Sequence, residues 1–570
     1  MSHSRSAVLI AVTAFVLAGC GWSTSVPAST PGRPSPGVTA ATSSSPAANA
    51  RTMVFGSASD PTTVDAILLQ DGESLRIAQQ IYDTLIRLKP GTAADLEPSL
   101  AKSWAVSPDG LTYTFHLRSG VRFTDGTPFD ADAAVYNVNR WKNLPVPLRD
   151  SDYYDRAVFG GYGAGSLIDS ATNVDGVTLR IKLRRPKADF LMAMTLVPFA
   201  MQSPTALQAH HADLAPSDPT NDYWQTAPTG TGPFMFKEFI AGERYSIVRN
   251  PDYWDSANAA FLDSVVFKPI PDADNRLAAL KSGVVDIIDP VNGNQLADVS
   301  ADARFQLLKR TPLAVGKVGF NQGQKPFDDL NVRKAAAYAI DRKAVVETFF
   351  PGLGTVADSD LISTMAAYEA NATISGYNPQ EARALLAASS CPAPCAIDFW
   401  YADNTPAVVA ADPKGEFELI RANLEAVGFK VNPRHVAWQD GYLAGAAQGK
   451  YPAFLIGWTY DYADPADGPG IFYATSMEAC DGIVPTSPHN CEFAQDDPIA
   501  AAAMAKAIAE PDAARRTQDW KDAMRLINAD VPDVPLVWVG SALAATKSIS
   551  GYIPSPTQSE SLNLVVKVAP

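Results

Sequence analysis

A chain of 570 residues is longer than one ordinary hydrophobic core organises, so two or more domains are expected. Its apolar fraction of 46% and charged fraction of 19% are those of a folded soluble protein, not of a disordered or fibrous one. The formal net charge of −15 argues against a nucleic-acid partner, which needs clustered Lys and Arg to displace counterions, and against a polybasic membrane patch.

In chain order, residues 1–20 read as an address rather than as part of a fold. Arg5 gives a short positive start, and 7–17 is an almost unbroken apolar run, too short for a permanent spanning helix. The run ends in Leu17-Ala18-Gly19-Cys20, which resembles a bacterial lipobox; such a signal adds a lipid to Cys20 and leaves it as the new N-terminus. Residues 21–50 are mostly Ser, Thr, Pro, Ala and Gly with Arg33 as the one charge, a composition that buries too little apolar surface to fold. A tether of that length reaches about 30 Å. Past Arg51 no apolar run approaches the roughly 18 residues of a spanning helix, so the rest is expected outside the cytoplasm.

Residues 51–55 make a β-like start, and 75–88 carries Ile77, Ile81, Leu85 and Leu88 at helical spacing up to Pro90-Gly91. Alternation over 111–117, after the turn Ser107-Pro108-Asp109-Gly110, predicts a hairpin strand. Asp130 fits the N-cap of a helix, and 177–183 alternates again after Asp175-Gly176. Strands are predicted over 232–239, 245–249 and 284–288, with a helix over 275–281 closed by Gly283. Helices follow at 330–340, at 342–350 capped by Asp341, and at 416–427, which stops at Gly428 ahead of a strand over 430–432. The apolar run 454–458 reads as a buried strand entering an acidic, aromatic loop; helices at 500–509 and 512–528 and a strand at 535–539 close the series. The irregular alternation, without a fixed repeat, implies α/β lobes built from non-contiguous segments.

With Cys20 acylated, four of the five cysteines remain, an even number for an oxidising compartment. Two local disulfides are expected, Cys391–Cys395 and Cys480–Cys491, although four cysteines permit three pairings. Metal ligation is the other use of such residues, but C-x-x-C pairs are missing and His489 stands alone nearby. Gly160-Gly161-Tyr162-Gly163-Ala164-Gly165 lacks the Lys-Ser/Thr ending of a phosphate loop, and Asp150, Asp152 and Asp155 lack the glycine turn and closing Glu of a calcium loop. Neither G-x-S-x-G nor H-E-x-x-H occurs, and the chain holds only six histidines, so no catalytic constellation is expected.

The run from Leu100-Ala101-Lys102-Ser103-Trp104 through Ser107-Pro108-Asp109-Gly110 to Phe123-Thr124-Asp125-Gly126-Thr127-Pro128-Phe129 resembles the peptide/nickel-type substrate-binding proteins of ABC importers, family 5. Further blocks match that family in order: Asp60-Pro61, Gly230-Thr231-Gly232-Pro233-Phe234, Arg249-Asn250-Pro251-Asp252-Tyr253-Trp254, Phe320-Asn321, Ala339-Ile340-Asp341-Arg342, Tyr377-Asn378-Pro379 and Gly457-Trp458 with Asp461 and Asp464-Pro465.

The resemblance implies a two-lobed α/β fold of the periplasmic-binding-protein type (class II, cluster C), with an extra subdomain in the first lobe and a two-strand hinge. In this chain it implies a first-lobe core from 51–92, 226–311 and 541–570, the subdomain at 93–225 and a second lobe at 312–540. It further implies a monomer without cofactor that captures a small ligand, most readily an oligopeptide, and delivers it to importer permease subunits. The same scaffold could instead hold haem, a metal chelate or an oligosaccharide, or act as an envelope regulator. In peptide-binding members an Asp three residues after the Gly-Trp pair holds the ligand's ammonium; the match here is Asp461. Gly457 would admit a ligand backbone beside the strand, and Trp458, Tyr460, Tyr462, Trp400 and Tyr401 would wall side-chain pockets. One departure is visible. Dipeptide-specific relatives bind the ligand carboxylate with an Arg in the segment matching 401–410, which here has neither Arg nor Lys.

Overall fold

The structure is a computed structural model that describes residues 51–370, 376–403, 410–473, 493 and 497–568. Cys20, the segments 1–20 and 21–50, Cys480 and Cys491 lie outside the described residues. Among those described, no helix is long and apolar enough to cross a membrane.

A seven-stranded mixed sheet organises the first lobe, in the order Phe305–Lys309, Ala542–Thr546, Ile287–Ile288, Thr52–Ser57, Ser264–Pro269, Arg244–Arg249, Phe234–Ile240. A four-stranded antiparallel sheet stands beside it, formed by Ala101–Val106, Thr112–Leu117, Thr178–Leu183 and Ile168–Asn173. Alternation in Thr112–Leu117 turns Tyr113, Phe115 and Leu117 inward onto Val138 and Trp141 of the helix Ala131–Lys142. Asp130 starts that helix by accepting from the amides of Asp132 and Ala133, both at 3.0 Å.

The second lobe is built on six strands in the order Gly354–Val356, Asp533–Val539, Ala314–Phe320, Ala453–Thr459, Cys395–Ala402, Phe429–Val436. Both faces are covered. The helices Leu330–Ala339, Arg342–Phe349, Pro379–Ala387 and Pro413–Val427 belong to one core, with Phe399 and Phe417; Pro498–Ala509 and Ala513–Ala529 belong to the other, with Ile456 and Trp520. Every residue of Ala314–Phe320 and of Asp533–Val539 is therefore buried. Lys317 tolerates that position because Asp360 (3.1 Å) and Asp533 (2.8 Å) neutralise it. Across the turn before the fifth strand, the sulfurs of Cys391 and Cys395 are joined.

The chain passes from the first sheet to the second between Lys309 and Ala314, and returns between Val539 and Ala542. The two links touch: the Arg310 amide donates to Ser541 O at 2.8 Å, and a Cβ on Gly540 would stand 2.7 Å from Arg310 O. Arg310 also fixes them to the first lobe, through Asp289 (2.8 Å) and Glu560 (2.5 Å), all three buried. A hinge anchored on one side by buried ion pairs leaves the other side to move.

One element departs from the sequence expectation. The helix predicted over 75–88 is Gly72–Ile81, capped by Asp71, and Ile86–Leu88 is a strand paired with Leu96–Pro98. Asp83 forces the break. Its buried carboxylate accepts from Thr231 (2.9 Å), Tyr253 (3.2 Å) and Trp254 (2.8 Å), contacts made across a turn. Local spacing cannot carry such information.

Candidate functional site

Ala453–Thr459 pairs along its whole length with Ala314–Phe320, setting Gly457 opposite Gly316 and Trp458 opposite Val315. On its other side Cys395–Ala402 pairs with it only at Ala453 and Phe454. From Leu455 to Thr459 no described strand occupies that edge; Leu455 O there takes the Tyr442 hydroxyl at 2.6 Å. An extended ligand backbone can add to an edge of this kind.

Beyond the strand the chain folds into a loop around Asp467. Its carboxylate accepts the amides of Asp461 (2.5 Å) and Tyr462 (3.3 Å), and its backbone O accepts the Trp458 indole N–H. Asp464 closes the loop, capping Ala466 at 2.9 Å and binding Arg516 at 2.7 Å. Tyr460 supports it from beneath: the ring is 1% exposed, and its hydroxyl donates to Asp360 O at 2.9 Å. Gly468 lies so close that a Cβ there would meet the Tyr460 ring at 2.4 Å.

Asp461 is thereby aimed into the space between the lobes. It lines a cavity whose other walls belong to the first lobe, including Ser555, Ser559, Ser561, Asn258 and Asn563. The residue as a whole is partly exposed, yet protein atoms crowd its carboxyl enough that burial raises its pKa to about 6, opposed by the Tyr154 hydroxyl that donates to it at 3.1 Å. Burial and the neighbouring Asp461 charge push Asp467 well above the ordinary carboxylate range. Among the described residues neither acid has a cationic partner. The nearby cations are engaged: Arg516 with Asp464, and Lys187 with Asp189 at 2.7 Å. Two crowded carboxyls, one of them buried, without a countercharge form a site that gains most from an incoming cation.

Further contacts hold the lobes together here. The Tyr462 hydroxyl donates to Asp189 at 2.8 Å, Ala463 N to Ala93 O at 2.8 Å, and Ala188 N to Ile508 O at 2.9 Å.

Residues 95–478 match the family described as bacterial extracellular solute-binding proteins, family 5. The chain belongs to that family. Among the similar proteins of this family, heme-binding protein A of Haemophilus influenzae is 30% identical, with 97% of each chain aligned. The dipeptide-binding protein of Escherichia coli is 28% identical over 89% of this chain and 93% of its own. Among solved structures, HbpA2 from Haemophilus parasuis superposes with a TM-score of 0.78 at 25% identity, covering 91% of this chain and 100% of its own. DppA from Helicobacter pylori, in complex with the peptide STSA, gives 0.72 at 25% identity, covering 91% of this chain and 98% of its own. The two-lobed α/β architecture is thus the family's, and family 5 proteins serve ABC importers outside the cytoplasm.

In this family 5 protein the residues singled out from sequence fall into two groups. Gly457, Trp458, Tyr460, Asp461 and Tyr462 fall together in the strand end and loop, with only Thr459 between them. Of these, Tyr460 and Tyr462 are 1% and 3% exposed, their hydroxyls engaged by Asp360 O and Asp189. Trp458 is half-buried, edge-on to Phe472 at 4.9 Å. Trp400 and Tyr401 are neighbours in a strand and so face opposite ways. Trp400 is half-buried and stacks on Tyr451 at 4.3 Å; Tyr401 is buried against Phe417 at 4.6 Å, on the helix-covered side. Tyr154 and Asp467 escaped the sequence reading. Asp464-Pro465-Ala466-Asp467 is a visible acidic turn that could have flagged the second, but nothing local ties Tyr154 to a loop 307 residues away.

Proposed function

We propose that this protein captures an oligopeptide by its N-terminal ammonium in the interlobe cleft and delivers it, unaltered, to the permease of an ABC importer. The observation that carries the reading is the crowded Asp461–Asp467 pair at the interlobe cavity, without a countercharge among the described residues. Asp461 receives the ammonium, the edge at Gly457 that no described strand occupies pairs with the peptide backbone, and Trp458 and Trp400 offer apolar walls. Tyr460 and Tyr462 hold the loop, and Tyr401 stiffens the adjoining strand. The hinge lies at 310–313 and 540–541, between a first lobe of 51–92, 226–311 and 541–570 with its subdomain 93–225, and a second lobe of 312–540. Export on the 1–20 signal, lipidation at Cys20 and the 21–50 tether would keep a monomer on the outer face of the membrane. Disulfides Cys391–Cys395 and Cys480–Cys491 suit that compartment.

Native mass spectrometry of the protein as purified tests this: a retained peptide mass, lost from Asp461→Asn, is the expected result. A second reading, a non-peptide guest, is favoured by the relative named for heme. Against it, the described cavity walls include no His, Cys or Met that could bind iron axially, and the hydroxyls of their two tyrosines, Tyr82 and Tyr253, are already given to Val64 O and Asp83. A haem mass retained equally by wild type and variant would replace the peptide reading.

A further inference from the structure

Five charged residues line the cavity that Asp461 enters: Asp83, Arg87, Lys89, Asp461 and Glu560. Three are satisfied inside the protein. Asp83 accepts its three donors, Arg87 binds Glu97 at 2.6 Å, and Glu560 binds Arg310 at 2.5 Å and the Ser555 amide at 3.0 Å. That leaves one carboxylate, Asp461, and one ammonium, Lys89, which has no ion pair among the described residues.

The two come from different lobes and line the same cavity. Lys89 opens the turn between Ile86–Leu88 and Leu96–Pro98, and its backbone is fixed at both ends: its amide donates to Asp95 O at 2.8 Å, and its O accepts from the Thr92 amide at 3.0 Å. Gly91 seats the same turn on Ile553, which a Cβ would meet at 3.1 Å. Ala93, four residues past Lys89, accepts the amide of Ala463, two residues past Asp461. The hydroxyl- and amide-rich wall between the poles suits a polar guest.

Resting on the ammonium-capture reading above, we propose that the cleft has two poles and selects a compact zwitterion, whose cationic end sits on Asp461 of the second lobe and whose carboxylate sits on Lys89 of the first. Lys89 takes over from the cation that the 401–410 segment lacks. A guest carrying both charges bridges the lobes when they shut, whereas one lacking the carboxylate engages a single lobe.

The test is equilibrium dialysis of a mixed tripeptide pool, offered as free acids and as C-terminal amides, read by mass spectrometry on wild type, Lys89→Gln and Asp461→Asn. Lys89 is exposed, so its substitution spares the fold. Wild type should retain acids over amides by about three- to tenfold, the range between an exposed ion pair and a charge-assisted hydrogen bond. Lys89→Gln should erase that preference while holding amides as before, and Asp461→Asn should lower both. Equal retention of acids and amides by wild type, or an undiminished preference in Lys89→Gln, overturns the two-pole cleft. If Asp461→Asn still lowers both pools in that case, ammonium capture stands alone. Retention of neither pool by wild type removes both proposals.

Discussion

Acidifying the solution from about pH 7 to about pH 5 should weaken capture of an ammonium-bearing peptide roughly tenfold, and the structure supplies the reason. In the ligand-free cleft the Asp461 carboxyl has its pKa raised by burial to about 6. Near pH 7 about nine in ten of these groups are ionised; near pH 5 only about one in eleven is. An ammonium binds the ionised form, so at the lower pH most molecules must first release a proton, which costs about 1.4 kcal/mol. The direction follows from the raised pKa: affinity is full above about 6 and falls as pH drops through that value. Isothermal titration calorimetry with the peptide that the protein retains on purification gives the measurement. Two buffers of different ionisation enthalpy should also reveal proton release near pH 5. Asp461→Asn, which keeps the shape and removes the charge, should bind more weakly by about 1.5–3 kcal/mol and lose the pH slope. Equal affinity at both pH values in wild type, or an unchanged slope in the variant, would refute Asp461 as the ammonium anchor.

Arg310→Met strips Asp289 and Glu560, each 2% exposed, of their shared cation and should lower unfolding stability by about 3–5 kcal/mol in thermal or urea titrations; a loss under about 1 kcal/mol would count against the anchored hinge. Tyr462→Phe removes the hydroxyl that reaches Asp189 across the lobes, about 1 kcal/mol of closure, so small-angle scattering should give a larger radius of gyration for the ligand-free variant; an unchanged radius contradicts this. Asp155 is fully buried, both its oxygens lack a partner among the described residues, and burial holds its pKa well above the usual value. A raised folded pKa contributes stability below the unfolded value of about 4 that is lost as pH rises. Asp155→Asn should therefore gain on wild type in denaturation midpoint as pH climbs past about 4, and a pH-independent difference would show that the group does not titrate.

Local patterning in the sequence was a good guide wherever local physics decides. Asp130 and Asp341 cap the helices they were expected to cap, and Gly428 ends the helix Pro413–Val427 in the left-handed conformation. Alternation located Thr112–Leu117 and Thr178–Leu183, because one face of each is buried. The failure at 75–88 has the opposite origin: Ile77, Ile81, Leu85 and Leu88 keep helical spacing across a turn fixed by donors about 150 or more residues away. The site divides in the same way. The strand and loop from Gly457 to Tyr462 announce themselves in sequence, whereas the Tyr154 donor and the isolation of Asp461 from every described cation exist only in three dimensions.

That isolation bears on how capture and closure become one event. A ligand shifts an open–closed equilibrium only by as much as it binds the closed form better. At the open lobe Asp461 would face water, where an ion pair at about 4 Å is worth about 1 kcal/mol; at the effective dielectric of a partly buried site the same pair is worth about 4 kcal/mol. The difference is available for closure, provided no built-in cation has already claimed the carboxylate. Tyr154 fits this requirement, because a neutral hydroxyl from the opposite lobe satisfies one oxygen in the ligand-free closed form yet binds it more weakly than an ammonium does. The ligand-free protein can then close, but only shallowly. A resident Lys or Arg at the Tyr154 position would lock the lobes without a guest, and the permease would lose the distinction between loaded and unloaded carriers.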